Sequence, residues 1–232
     1  GRDLVQFLRQ VPQHAAKRFP GLTLTETITA SSGSDIPKLS DTTVATYVSN
    51  LSAMMNWAVR EGWSLANPIE KQNRKATPTV RRRPFTTEEL KRIFDALLDF
   101  KSEEPWKYWL PALALYTGAR AGELCQLQRG DVILDGSEAS IRISIYDRAG
   151  RRVGWKNLKT PASERIIPVH PALISAELIK FASGAPDERL FPSLTEGANG
   201  GFSHGLTRWF ARFLAAQGMT DPSVVFPSFR HG

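Results

Sequence analysis

Thr117-Gly118-Ala119-Arg120-Ala121-Gly122-Glu123-Leu124, near the middle of a 232-residue chain, sets an arginine just after a glycine break and at the start of a helical pattern. Upstream, Trp106 to Tyr116 is an apolar helical segment, with Pro111 near its expected start. Downstream, Arg120 to Gln128 resumes helically and ends at Gly130-Asp131. Arg120 and Glu123 are three apart, so they share a helical face. The plain reading is a surface salt bridge, which contributes little. The sharper one is that Glu123 braces Arg120 from behind and turns its guanidinium towards a ligand. A second arginine, Arg230, lies about a hundred residues on, in Phe226-Pro227-Ser228-Phe229-Arg230-His231. Proline favours the first turn of a helix, which would hold Arg230 and His231 near a helix N-terminus, where anions bind readily. Between the two arginines, Lys159 opens Lys159-Thr160-Pro161-Ala162-Ser163-Glu164-Arg165, a segment that reads as a β-hairpin; Lys156 competes for its role. Two arginines and a lysine suit a phosphodiester. Each guanidinium is a planar fork matched to two phosphate oxygens, and the lysine can give up a proton.

The charge distribution points the same way. The formal net charge is +7, with 41% hydrophobic and 23% charged residues. Residues 1–83 carry 12 Lys/Arg against 6 Asp/Glu, whereas the remainder is nearly balanced. Lys71, Arg74, Lys75, Arg81, Arg82 and Arg83 form a run with only uncharged residues between them, which fits a solvated linker and also a polyanion partner. Cys125 is the single cysteine, so a disulfide framework and a Cys-based zinc site are excluded, and a reducing, intracellular setting fits. It lies beside Leu124 and Leu127 in a helical pattern, which reads as packing. The longest apolar run, Trp109 to Tyr116, is too short to span a bilayer. There is no phosphate-binding glycine loop, metal-ligand cluster or hydrolase nucleophile elbow. The chain opens at Gly1 and stops at Gly232, and is expected to be a piece of a longer protein.

Hydrophobic periodicity organises the rest as mainly α with one small antiparallel β-sheet. Residues 2–18 have scattered helical periodicity, and a Thr-rich connection follows to about Ser40. Ser40 or Asp41 can cap a helix carrying Val44, Val48, Leu51, Met55 and Ala58, closed by Gly62. Met54, Met55 and Trp57 read as core. Residues 73–84 read as a basic interdomain linker. Thr86-Thr87-Glu88-Glu89 is a capping-box pattern before Leu90, Ile93, Phe94 and Leu97. Residues 140–146 alternate as a half-buried strand, with 165–169 as its sheet partner. Further helices are expected at about 171–182 and 203–217.

Taken together, these segments resemble the tyrosine recombinases, the phage integrase family. Residues 117–124 look like the box of its first arginine. Lys159-Thr160 with Ser163, Arg165, Pro168 and His170-Pro171 look like its β-hairpin lysine segment, and 226–231 like the box of its second arginine. Asn56-Trp57-Ala58-Val59-Arg60-Glu61-Gly62 and Asn67-Pro68 resemble its helical core-binding domain. Three boxes in the expected order are far more specific than any one. The resemblance implies a SAM-like core-binding domain over 1–72, the basic linker, and a catalytic domain from 85, truncated at 232, the two forming a C-shaped clamp on double-stranded DNA. Carried over by position, Arg120 and Arg230 would grip the scissile phosphate, Glu123 would orient Arg120, and Lys159 would protonate the leaving 5′-oxygen. Lys71, Arg74, Lys75 and Arg81–Arg83 would follow the DNA backbone. The reaction implied is strand exchange through a covalent 3′-phosphotyrosine, with no metal and no cofactor. The setting implied is a bacterial cytoplasm, with a bacterial or phage-encoded, nucleoid-associated protein and no membrane. The family works as a homotetramer on DNA; this piece alone is expected to be monomeric.

Two departures stand out. Pro227 occupies the position of the family's histidine and can neither give nor take a proton there; His231 is its only neighbour of the right chemistry. The family's nucleophilic tyrosine follows the second arginine by a few tens of residues, whereas Tyr47, Tyr108, Tyr116 and Tyr146 all precede it. These 232 residues are therefore expected to bind DNA without cleaving it. Two rival readings remain: a non-catalytic DNA-binding protein derived from an integrase, and a type IB topoisomerase.

Overall fold

The computed structural model of the chain describes residues 2–72, 80–186, 188–198 and 200–231. Two compact units result, Gly1–Thr79 and Val80–Gly232. Arg74, Lys75 and the side chain of Lys71 lie outside the described residues, as does most of the expected linker.

The first unit is helical: α1 (Arg2–Gln10), α2 (Ala15–Arg18), α3 (Leu24–Ala30) and α4 (Asp41–Arg60). The expected helix over 2–18 is interrupted because Pro12 pairs in a short bridge with Lys38. The Thr-rich connection contains a helix that periodicity did not indicate. Thr23 and Glu26 close a capping box at its start, each satisfying the other's backbone N–H. Ser40 caps α4 as expected, its hydroxyl accepting from the Thr43 N–H. Val44 and Val48 of α4 pack with Leu8 of α1 in a small core. Met54 and Trp57 are a correction: both are exposed, Trp57 meeting the exposed Trp63 edge-to-face. A helix turns 100° per residue, so positions 54 and 57 lie opposite the 44–48–52 face that reaches the core.

The second unit opens with Phe85 in its core and α5 (Thr87–Leu97), whose capping box joins Thr86 and Glu89. Then follow α6 (Phe100–Glu103), α7 (Pro105–Thr117) and α8 (Ala121–Cys125). α7 begins at Pro105, and Pro111 lies in its interior rather than at its start. An internal proline costs about 3 kcal/mol. The buried run Tyr108 to Ala114 offsets that, since full burial of one large apolar side chain contributes roughly 1.5–3 kcal/mol.

The helical reading of 120–128 shortens to α8, and a strand follows that alternation did not mark. β1 (Val132–Asp135) turns through Gly136 into β2 (Glu138–Ile143), and β2 pairs with β3 (Arg165–Pro168), all antiparallel in the order β1-β2-β3. Four residues of β1 are too few to show a period. Ile141 faces Ile167 and Ile143 faces Arg165 across β2 and β3. The helix expected over 171–182 is two, α9 (Pro171–Ser175) and α10 (Leu178–Ser183), separated by Glu177 in the left-handed region at φ 68°. α11 (Ser203–Ala216) brings Leu206, Phe210, Phe213 and Leu214 into the core. The last described segment, a 3-10 turn over Phe226–Arg230, is set by Phe229 and Phe226 against Phe210, with ring centroids 5.5 and 5.4 Å away.

Candidate functional site

Gly118 ends α7 in the left-handed conformation that a glycine adopts without penalty, at φ 61°, its N–H donating to the Ala114 carbonyl. The chain is thereby redirected, and Arg120 leads α8 with an extended backbone. Glu123, in the first turn of α8, is buried. Its carboxylate accepts from Arg120 Nη1 at 2.8 Å, from the Arg120 backbone N–H at 2.9 Å and from Arg165 Nη2 at 2.8 Å. Burial pushes the Glu123 carboxyl up, but the bonds from Arg165 and Arg120 outweigh it and hold the group below its ordinary range. Glu123 is therefore an anionic post between two arginines. Arg120 keeps 43% of its side-chain surface exposed, so its fork is braced on one side and open on the other.

The same guanidinium touches the lysine segment. Arg120 Nη1 lies 3.3 Å from the Ser163 hydroxyl, which is 3.0 Å from the Thr160 hydroxyl. Lys159 is exposed on the bend just before Thr160. Lys156 is buried in an ion pair with Asp131, and burial lowers its pKa. Geometry thus separates the two lysines: only Lys159 presents its amine to solvent.

Arg230 and His231 are also exposed, but the helix N-terminus expected for them is not there. Arg230 is the last residue of the 3-10 turn and His231 follows it, because Pro227 starts a turn too short to carry them into a new helix. The aromatic anchors Phe226 and Phe229 fix this turn in the core, and Phe229 also packs against Phe85, at 4.8 Å, and Phe94. Pro227 itself is exposed.

The basic run divides. Arg81 is exposed. Arg82 donates to the Pro222 carbonyl. Arg83, expected to follow DNA, has partners within the unit for all five of its N–H donors. Nε and Nη2 donate to Asp221, Nη1 and Nη2 to Glu89, and Nη1 also to the Pro84 carbonyl, at 2.7–3.0 Å. A guanidinium has only five such donors. Arg83 is a brace.

Arg165 is the contributor that sequence reasoning quoted without giving it a task. The signal was present: alternation along β3 puts it on the same face as Ile167, which is opposite the buried Ile141, and an inward arginine needs a partner. Among the described residues no group of His, Cys, Asp and Glu could hold a metal ion, and no helix is long and apolar enough to cross a membrane.

The architecture is a helical unit followed by a helical domain with a three-stranded sheet, with a braced arginine and an exposed lysine on the sheet's loop. No family model matches the chain. It is 29% identical over 178 residues to the "Putative prophage phiRv2 integrase" of Mycobacterium tuberculosis, which covers 75% of this chain and 46% of that protein. Among solved structures, lambda integrase bound to DNA superposes with a TM-score of 0.54 at 25% identity, over 81% of this chain and 62% of the other. The Tn1549 transposon integrase in complex with a circular intermediate DNA gives 0.60 at 15% identity, over 98% and 84%. These likenesses are to phage and transposon integrases, and they support the resemblance to the tyrosine recombinases. It spans less than half the length of the curated integrase it matches.

Proposed function

We propose that this chain is the DNA-gripping part of a site-specific tyrosine recombinase acting on double-stranded DNA. Arg120, Lys159 and Arg230 are its phosphate ligands. The observation that carries the reading is the Glu123 post, which orients Arg120 towards solvent beside the Ser163 end of the Lys159 loop. Two guanidiniums would stabilise the charge of a pentavalent phosphorane, in place of a metal ion, and Lys159 would protonate the leaving 5′-oxygen. In the whole protein the reaction would pass through a 3′-phosphotyrosine, on a homotetramer, with bacterial or phage DNA in the nucleoid as substrate. All four tyrosines of these 232 residues precede Arg230 in sequence, and the part assigned to this chain is binding of the DNA. The first unit supplies a second DNA contact as core-binding domain.

Fluorescence anisotropy with random duplex DNA at several salt concentrations tests this. Affinity should fall steeply with salt and weaken in Arg120→Ala, Lys159→Ala and Arg230→Ala. Absence of binding at low salt would overturn it. Pro227 favours one second reading, a DNA-binding protein derived from an integrase that has lost cleavage. A parent chain that binds its site but forms no covalent adduct would support that reading.

A further inference from the structure

The loop that carries Lys159 is fastened to the arginine helix at both ends. Ser163 meets Arg120 on one side. On the other, Gln126, one residue beyond α8, makes a reciprocal pair with the backbone of Asn157. Gln126 Nε2 donates to the Asn157 carbonyl at 2.8 Å, and the Asn157 N–H donates to Gln126 Oε1 at 2.8 Å. Gln126 is buried, while Asn157 is exposed. One residue earlier, Lys156 is buried against Asp131, and its carbonyl accepts from Arg152 Nη1 at 2.8 Å. Asp131 in turn accepts from the Gln128 N–H at 2.8 Å, tying this anchor to the same stretch of chain as Gln126. Lys159 follows Asn157 by two residues, so its Cα stays within about 7 Å of the paired backbone.

We infer that Gln126 is a positioning residue: its amide fixes the backbone of the Lys159 loop in register with Arg120, so that both cations meet one phosphodiester. The inference rests on the reading of Arg120 and Lys159 as phosphate ligands. A buried glutamine needs a partner for its NH2 and another for its oxygen, and two different residues could supply them. Two bonds to the same residue, on an exposed loop outside the sheet ladder, set both the distance and the angle of that residue. The ordering cost of the loop is then met on folding rather than on binding DNA, which is preorganisation.

Two measurements decide it. In the unaltered chain, hydrogen exchange at the Asn157 amide should be slowed roughly tenfold or more against the free-chain rate, because its partner is a buried side chain. Exchange at the free-chain rate would overturn the clamp, and this measurement needs no variant. The second is a double-mutant cycle of Gln126→Met and Lys159→Ala, read as affinity for random duplex DNA, together with the rate of trypsin cleavage after Lys159 in the two chains that keep the lysine. Gln126→Met should speed that cleavage by roughly tenfold, as the loss of two net hydrogen bonds allows, and weaken DNA binding. Adding Lys159→Ala should then cost little more. If Lys159→Ala alone leaves affinity unchanged, the phosphate reading fails, while exchange and trypsin still judge the clamp. If Lys159→Ala weakens binding but Gln126→Met changes neither affinity nor cleavage, Gln126 does not position the lysine.

Discussion

Arg83 and Asp221 stand 138 residues apart in sequence and 2.8 Å apart in space, joined by an ion pair that Glu89 shares from the start of α5. The backbone follows the same route, the Arg83 N–H donating to the Ser223 carbonyl. The lead-in to the second unit is thus laced to the segment just before Phe226 and Arg230. Arg83→Ala should lower the Tm of the second unit and leave the salt dependence of DNA binding unchanged. Arg81→Ala should do the reverse, reducing the slope of log K against log salt by about 0.9 if it meets one phosphate. Thermal melts and anisotropy on both variants check this; a reduced salt slope in Arg83→Ala would return that residue to the DNA interface.

The same ion pair sets an acid limit. Bonds from Ser223 and then Arg83 hold the Asp221 carboxyl down from its ordinary 3.8 to about 2, and Arg83 lowers that of Glu89. A folded pKa below the unfolded one adds stability that is complete above the unfolded value and disappears as pH falls through the folded value. The contribution of Asp221 should therefore be present at pH 5 and be lost between about pH 4 and pH 2. Urea unfolding across that range should show a shallower pH dependence in Asp221→Asn than in the unaltered chain. Identical slopes would remove Asp221 from the account.

Arg120 and Arg165 share Glu123, yet their removal should differ in its effect on DNA binding. Arg165→Ala leaves a buried carboxylate with one side-chain partner, and should cost about 2–3 kcal/mol, somewhat less than removal of a sole partner. Arg120→Ala likewise leaves Glu123 with one side-chain partner and should cost a similar amount, about 2 kcal/mol, while weakening DNA binding more than Arg165→Ala does. Urea unfolding checks the shared cost and anisotropy separates the two, and a cooperative loss of folding in Arg120→Ala would make that arginine structural.

Cys125 lies in the core at the end of α8, and burial pushes its thiol up to about 12. The thiolate is the reactive form, so an aromatic disulfide reagent should label the native chain at pH 8 no faster than the chain unfolds. Labelling rates should rise in step with urea-induced unfolding. Rapid labelling of the native chain would place the thiol at the surface.

On the proposed reading, Pro227 stands on an exposed turn where the family's histidine would be. In a chain extended to include the nucleophilic tyrosine, Pro227→His should raise covalent adduct formation on a nicked or suicide DNA substrate, by as much as about 100-fold if it restores one positioned acid–base group. Unchanged or lower adduct yield would show that this position is not an empty proton-transfer site.

Much of this architecture could be read along the chain. The caps at Ser40 and Thr86, the glycine break at 118 and the alternation along β2 are local features, each fixed by a few neighbouring residues. What escaped was either too short to show a period, as in β1, or settled by what a face meets. Met54 and Trp57 have core-like side chains, but the face of α4 that carries them stays exposed, Trp57 resting edge-to-face on Trp63, which is itself exposed.

The site divides along the same line. The sequence by itself determined the chemistry available: two arginines, a lysine, a glutamate three residues after the first arginine, and a proline three residues before the second. Only the tertiary structure decided what each could do. Lys156 and Lys159 are chemically identical and three residues apart, but burial beside Asp131 immobilises one and leaves the other in water. Arg81 and Arg83 carry the same guanidinium, but Glu89 and the sequence-distant Asp221 engage that of Arg83. A charge becomes free or engaged according to which partners long-range packing brings within about 3–4 Å, and no local pattern in the chain encodes that distance.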